Sequence, residues 1–399
     1  MKRRKLKDIL AKTITYIFSS FGSLILISIM IYIFTNGCQN LSWQFLSSDY
    51  QEITYNIKSE NANLETNMYY YESQENEYFS SSWGIALIDS NDIAGNDVVE
   101  ITHIDKNSPF NKMINIADSS SFQVSEKLYI EKIVLSKDDN TYFALSKEGA
   151  ENMIFQLDKS NMIDDMILKK GGGGIRGSIV TTILLILTTL VISLPLGIGS
   201  AIYLSEYAPK NKFVNFINSS IEMIGGIPSI IFGFFGMFVF IPLCDNIFFT
   251  NGGSILSGSM TLAIMLLPTI IKTVQESLMV FPDSYRSASF ALGASKTQTI
   301  FKLILPNSLN GILTATILSI GRIIGESASL IFALGTVIKD EISLTGNGTS
   351  LAVHIWVLMG GDKPNFASSC SIAIVILIIV LILNIIVKLM GRKLNKYGK

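Results

Sequence analysis

The sequence predicts a mainly α, polytopic membrane protein with six transmembrane helices and one polar insertion, and three observations predict it. Of 399 residues, 49% are hydrophobic and only 16% are charged, against about a quarter charged in an ordinary soluble domain. A single soluble domain is excluded. The mean hydropathy is +0.42, and the apolar residues gather in largely uncharged runs, long enough at about 1.5 Å per residue to cross about 30 Å of hydrocarbon. Charge is partitioned along the chain: residues 36–170 hold 22 acidic and 10 basic side chains, and the remainder holds 10 acidic and 21 basic. The net charge of −1 is a cancellation between two environments.

The first run, residues 14–34, has no charged residue and follows Lys2-Arg3-Arg4-Lys5-Leu6-Lys7. A signal peptide begins in the same way, but this run outlasts the usual apolar region and no A-x-A-like site follows it. Phe34-Thr35-Asn36-Gly37-Cys38 ends in Gly-Cys without the aliphatic residue expected of a lipoprotein site. The segment reads as an uncleaved helix. Five more spans fall at 177–204, 216–243, 255–271, 308–334 and 368–390. Pro195, Pro228 and Pro268 interrupt three of them, which membrane helices tolerate when neighbours satisfy the freed carbonyls. The basic residues of the N-terminal flank, of Lys210 and Lys212, of Arg286, Lys296 and Lys302, and of the tail from Lys388 to Lys399 all fall on one side, whereas 244–254 has none. By the positive-inside rule both termini are cytoplasmic in a multi-pass plasma-membrane protein, and 36–170 is outside. The organisation expected is a basic N-terminus with the first helix (1–35), an extracytoplasmic acidic insertion (36–170), and a core of helices two to six (171–399) carrying a cytoplasmic loop at 281–306.

The insertion is too long for a structureless connection. Its first part, through Tyr69-Tyr70-Tyr71-Glu72 and Glu75-Asn76-Glu77, reads as acidic coil dotted with aromatics. Residues 83–88, 97–104 and 127–135 alternate as strands do, and 149–157 reads as a helix. A Gly-Ile-Ala-Leu strand, a strand ending before Asn107-Ser108-Pro109-Phe110 and a later helix resemble a PDZ-like domain, which implies peptide or partner docking; an unrelated small α+β insertion fits the same pattern. Gly171-Gly172-Gly173-Gly174 reads as a flexible joint. The glycine spacing at 172–177 is that of a phosphate loop, but Ser178 stands where lysine is required, so no nucleotide site is expected.

Residues 281–306 form two short amphipathic stretches joined at Gly293, with Ala288, Ala291 and Leu292 on one apolar face and Ile300, Leu303 and Ile304 on another. Gly293 permits a positive φ. Gly293 followed, after nine residues, by Leu303-Ile304-Leu305-Pro306 resembles the loop by which ABC importer permeases dock onto their ATPases. Ser287-Ala288-Ser289 replaces the family's Glu-Ala-Ala, so a docking salt bridge at Ser287 is not carried over. Leu194-Pro195-Leu196-Gly197, Tyr203-Leu204-Ser205-Glu206-Tyr207, Gly226-Ile227-Pro228-Ser229 and Gly321-Arg322-Ile323-Ile324-Gly325-Glu326 occur in the order seen in phosphate permeases of the PstA type, and the match covers most of 171–335. The resemblance implies a type I ABC importer permease fold. It implies a second homologous permease in a heterodimer, two cytoplasmic ATPase subunits that use ATP and Mg, and an extracytoplasmic phosphate-binding protein, with Ser287, Ala288, Gly293, Leu305 and Pro306 at the ATPase contact. This chain itself has no Walker sequence and is expected to bind no cofactor, no nucleic acid and only membrane lipid besides these partners.

Arg322 and Glu326 stand in an otherwise uncharged run. Near the bilayer centre each would cost about 2.5–3.5 kcal/mol, and spacing i, i+4 on a continuous helix would let them pair. Gly321, Gly325 and Ser329 make a small-residue stripe for close helix approach, and Gly226 with Pro228 suggests a break near the path. Arg322 is the expected fixed cation for an oxyanion, because guanidinium presents a permanently charged donor fork. Glu326 would hold that fork and compete with the anion. A purely structural ion pair is the alternative. Glu206, Glu222 and Glu276 read as solvated helix-end carboxylates. Two histidines and three scattered cysteines exclude a histidine metal site and a disulfide scaffold. An intramembrane hydrolase lacks HExxH and GxSxG. A permease for phosphonate or sulfate, or a membrane-anchored external sensor, are the competing functions.

Overall fold

The computed structural model describes residues 2–60, 69–72, 76–91, 97–137, 140–360 and 364–396, with side chains from residue 12 to residue 392. Glu75 and most of the basic side chains at the two ends of the chain lie outside this description. Contacts divide the chain into two units, Met1–Leu41 with Gly177–Lys399, and Ser42–Arg176.

The first unit opens with α1 (Lys2–Gly37), of which Lys12–Gly37 is apolar and membrane-length. The second unit then runs through α2 (Trp43–Ser47), β1 (Ile53–Ser59), β2 (Glu77–Ser80), β3 (Ile85–Asn91), β4 (Asp97–Ile104), β5 (Met113–Asn115), β6 (Ser121–Phe122), β7 (Leu128–Lys137), β8 (Asn140–Leu145), α3 (Gly149–Lys159) and β9 (Met162–Lys170). The strands form one antiparallel sheet in the order β2-β3-β4-β7-β9-β1-β5-β6, with β8 beside β7. Alternate residues point inward: Ile85 and Leu87, Val99 and Ile101, Ile133 and Leu135, Met166 and Leu168 are fully buried. α3 covers them with Ala150, Met153, Ile154 and Leu157, a 3.6-residue stripe. Trp83 is fully buried and satisfies its indole N–H on the Leu157 carbonyl at 2.9 Å.

Two expectations change here. The stretch read as coil contains β1 and β2: β1 alternates Ile53, Tyr55 and Ile57 with Thr54, Asn56 and Lys58, although only Ile57 and Ser59 are buried. The four glycines are not a loose joint. Gly173, Gly174 and Ile175 donate to the carbonyls of Tyr50, Asp49 and Phe45 at 2.9, 3.0 and 3.0 Å. A Cβ on Gly172 would stand 2.6 Å from the Tyr50 oxygen, and one on Gly174 would overlap Ser48. Glycine is required there by close backbone approach, not by flexibility.

The helical unit continues with α4 (Arg176–Ile202), α5 (Lys212–Gly225), α6 (Ser229–Phe235), α7 (Ile241–Phe248), α8 (Ile255–Met279), α9 (Asp283–Ala291), α10 (Lys296–Thr299), α11 (Leu305–Asn307), α12 (Leu309–Gly325), α13 (Ala328–Ala333), α14 (Leu351–Gly360) and α15 (Phe366–Lys396). Among the described residues five helical stretches are long and apolar enough to cross a membrane, and a sixth counts if Lys296–Asn307 and Leu309–Gly325, bent by 60°, are one span. The protein is an integral membrane protein. α8 is central: Leu262, Leu266, Ile270, Val274 and Leu278, four residues apart, are buried along one face.

The third span starts at Ser229 rather than at 216. Gly226 closes α5, its N–H bonded to the Met223 and Ile224 carbonyls, and Pro228 begins the next helix. α5 is a separate amphipathic helix held to α8 by Glu222 with Lys272 and by Gln275 with Asn218. The fifth span is not a continuous helix over 308–334. α12 ends at Gly325, Glu326 is extended (φ −83°, ψ 120°), and α13 starts again at Ala328. α14, which hydropathy over longer windows does not isolate, buries His354 with its Nδ1 2.8 Å from the Ser178 hydroxyl of α4.

Candidate functional site

Arg322 sits in the last turn of α12, half-buried. Its Nη1 donates to the Thr269 hydroxyl of α8 at 3.2 Å. The break after Gly325 takes Glu326 off the face that an unbroken helix would share with Arg322, so the expected i, i+4 pair does not form: among the described residues no ion pair joins them. Glu326 is buried and its Oε1 accepts the Ser329 N–H at 3.0 Å, capping the first turn of α13. Two helix breaks therefore flank one region. Gly225 lies against Pro268, next to Thr269, at the α5–α6 break, and α12 ends beside it.

Around Gly321 and Gly325 nothing beyond their own helix backbone and chain neighbours lies within 4 Å of where a Cβ would stand, so that part of the expected packing stripe is open among the described residues, whereas Ser329 is fully buried. Gly226 likewise meets only its own turn, at the Met223 carbonyl, and Pro228 serves as the N-cap of α6. Close helix approach falls at other glycines, among them Gly37 against Cys370, Gly311 against Ser277, and Gly233. A Cβ on Gly233 would be 2.8 Å from the Ser329 backbone of α13.

The loop between α8 and α12 contains the turn its spacing predicts. α9 ends at Leu292-Gly293, Gly293 has φ +83° with open space around it, and a Ser295–Gln298 capping box starts α10. The two expected faces separate. Ile300 and Ile304 are buried, whereas Ala288, Ala291 and Leu292 (89% exposed) face outward. Ala288, Leu292 and Gly293 line an open groove of about 580 Å³ with Lys302 and Leu303. Ser287 donates to the Asp283 carbonyl at 3.1 Å within α9. Leu305 is half-buried and Pro306 exposed in the first turn of α11.

One buried ion pair was not anticipated. Glu206 is not solvated: its side chain is 7% exposed and Arg286 of α9 holds it, Nη2 at 2.6 Å and Nε at 3.3 Å. The bond to Glu206 raises the Arg286 pKa further, so its charge is fixed. Glu206 belongs to a π-helical turn, Tyr203–Tyr207, that ends α4. The only local signal is an acidic residue at a helix end and an arginine 80 positions later, a pairing that only the tertiary fold brings together.

Residues 193–396 match the family described as binding-protein-dependent transport system inner membrane component. The chain is 32% identical over 181 residues to a probable ABC transporter permease protein, YqgI, of Bacillus subtilis, covering 42% of this chain and 60% of that protein. It is 33% identical over 171 residues to a phosphate transport system permease protein PstA homolog of Mycoplasma pneumoniae (43% and 26%). It is 31% identical over 186 residues to the phosphate transport system permease protein PstC of Haemophilus influenzae (42% and 59%). The alignments thus span 60% or less of these relatives. Among solved structures, an inward-facing MetNI methionine ABC transporter chain aligns with 20% identity and a TM-score of 0.43, over 55% of this chain and 94% of that one.

Proposed function

The chain belongs to the family of binding-protein-dependent transport system inner membrane components, and from that premise we propose that it is the permease subunit of an ATP-driven importer of inorganic phosphate. The observation that carries the substrate is Arg322. It is a half-buried guanidinium at the end of an apolar helix, and its bond in this chain goes to a neutral hydroxyl, Thr269. A donor fork with no ion pair among the described residues suits a tetrahedral oxyanion, and the helix breaks at 226–228 and 326–327 interrupt two apolar runs. The names of the phosphate transport relatives support the same reading.

In this reading a second, homologous permease completes the path and two cytoplasmic ATPase subunits dock at the groove by Gly293. An external binding protein delivers phosphate. Both termini are cytoplasmic. The acidic insertion repels phosphate and docks a basic patch on a partner, the binding protein. ATPase closure moves the loop and rocks the helices between outward and inward access.

The test is phosphate uptake into vesicles containing the reconstituted complex. Arg322→Ala is expected to abolish uptake while the subunits still co-purify. Normal uptake by a correctly inserted Arg322→Ala protein overturns the proposal. Competition by phosphonate or sulfate that matches unlabelled phosphate would assign the permease to another oxyanion.

A further inference from the structure

The loop at 281–306 is covalently attached to α8 and α12, and its side chains hold the end of α4 as well as that of α8. Arg286 uses its whole fork: besides Glu206, it donates to the carbonyls of Phe281 at 2.8 Å and Leu278 at 3.2 Å, and to Asp283 at 3.2 Å. The loop's second helix reaches the same turn of α4. The Tyr207 and Thr297 hydroxyls are 3.1 Å apart, and the Lys296 ammonium lies 5.2 Å from the centre of the Tyr207 ring. Ser289 and Thr299, 2.8 Å apart, tie the two loop helices to each other. Both halves of the loop thus hold one π-helical turn, a widened turn of the kind found at functional sites.

The two routes out of the loop differ in stiffness. Toward α12 the chain bends by 60° at Ser308, which Ser277 of α8 holds through its hydroxyl and carbonyl at 3.2 and 3.4 Å, so that displacement turns α12 about a point fixed on α8. Toward α4 the link is a charged, mostly buried pair with two parallel bonds; stretching it would strand a charge with little water to receive it. We infer that Glu206 and Arg286 are positioning residues that pass the movement of the loop to α4, so that the loop and the end of α4 move as one body while α12 pivots at Ser308. This rests on the permease reading above, because it needs a partner that moves the loop.

The experiment uses the complete complex in vesicles, with ATP hydrolysis and phosphate uptake measured together. Glu206→Gln is expected to keep the ATPase bound and hydrolysing while phosphate moved per ATP falls about 10-fold. Tyr207→Phe, which removes only the hydroxyl contact, should lower the same ratio by about 2-fold to 5-fold. Parallel loss of hydrolysis and uptake, or an unchanged ratio, overturns the inference. If Glu206→Gln does not assemble, Tyr207→Phe and the conservative Glu206→Asp carry the same measurement.

A second readout does not depend on the identity of the cargo. Spin labels at Ser295 and Leu196 report loop to α4, and labels at Ser295 and Leu318 report loop to α12, with the native cysteines replaced by alanine. Adding ATP should leave the first distance unchanged and alter the second. A change in the first distance overturns the inference. A wild-type complex that takes up no phosphate, yet shows this pattern, overturns the substrate and leaves the coupling device standing.

Discussion

The two units of this chain differ in what they bury and in what they leave outside. In Ser42–Arg176 the interior is large and apolar, with Trp83, Phe110, Ile85 and Leu87 fully buried, as expected of a core that forms by leaving water. In the helical unit many of the fully buried residues are small and polar: Thr181, Thr189, Ser193, Ser257, Ser259 and Ser319. Beside an apolar core along α8, many of this unit's large apolar side chains point out, Leu26 at 66%, Val191 at 73% and Phe238 at 72% exposed. Outward leucine is costly in water, at about 25 cal/mol per Å², and costs nothing in lipid. With no apolar driving force between its helices, that unit packs by close approach of small residues and by interhelical hydrogen bonds such as that of Ser257 to the Ala333 carbonyl at 2.8 Å. One chain therefore follows two rules for what is inside, and each rule breaks differently.

The largest effect belongs to the water-facing rule. Trp83→Ala removes the largest buried side chain of the sheet unit and its bond to Leu157, and should cost about 3–5 kcal/mol. Thermal unfolding of the purified protein, with limited proteolysis to report which unit opens, should show the insertion cleaved first and the helical unit intact. Simultaneous loss of both would mean that the two units do not unfold separately.

The intermediate effect belongs to the close-approach rule. Gly233→Ala places a methyl 2.8 Å from the Ser329 backbone and must push α6 from α13, at about 1–3 kcal/mol. Gly321→Ala is the control: with open space around it, the chain's own stability should not change. If Gly321→Ala nevertheless loses the second permease on co-purification, the open stripe is where that subunit packs, and the rule extends across the interface.

How far these rules are legible in the sequence depends on how local their signals are. α1, α4, α8 and α15 stand out because a membrane-length apolar run needs no partner to be recognised. The strand at 97–104 shows because Val99 and Ile101 alternate with Glu100 and Thr102, and Gly293 shows because a turn with positive φ selects glycine. β1 does alternate, Ile53, Tyr55 and Ile57 between Thr54, Asn56 and Lys58, but it stands alone in an acidic, polar stretch, and β8 is hidden because only Ala144 of its residues is buried. The break at Glu326 is hidden for a different reason. Residues 320–334 are apolar enough to continue as helix, and what stops them is a carboxylate turning back to cap Ser329 together with the contact at Gly233. The site was legible in part: Arg322 is conspicuous as a charge in an apolar run, but its separation from Glu326 follows from that break. Glu206 with Arg286 required two remote helices to meet.

The smallest predicted effect isolates what Glu326 does. Each unit caps a short helix with a carboxylate: Asp89 accepts the Ala150 N–H of α3 at 2.7 Å, and Glu326 accepts the Ser329 N–H of α13 at 3.0 Å. If the carbonyl-type oxygen is what matters, Asp89→Asn and Glu326→Gln keep an acceptor of the same shape and should be nearly neutral. Asp89→Ala and Glu326→Ala should each cost about 1 kcal/mol. Unfolding midpoints of the four variants check this. The informative departure is on the membrane side alone: Glu326→Gln that behaves like Glu326→Ala, while Asp89→Asn behaves like the unaltered protein, would show that the charge of Glu326 matters as well as its shape. Glu326 would then act on Arg322 or its anion through the field across the break, and the pairing that the spacing suggests would survive without direct contact.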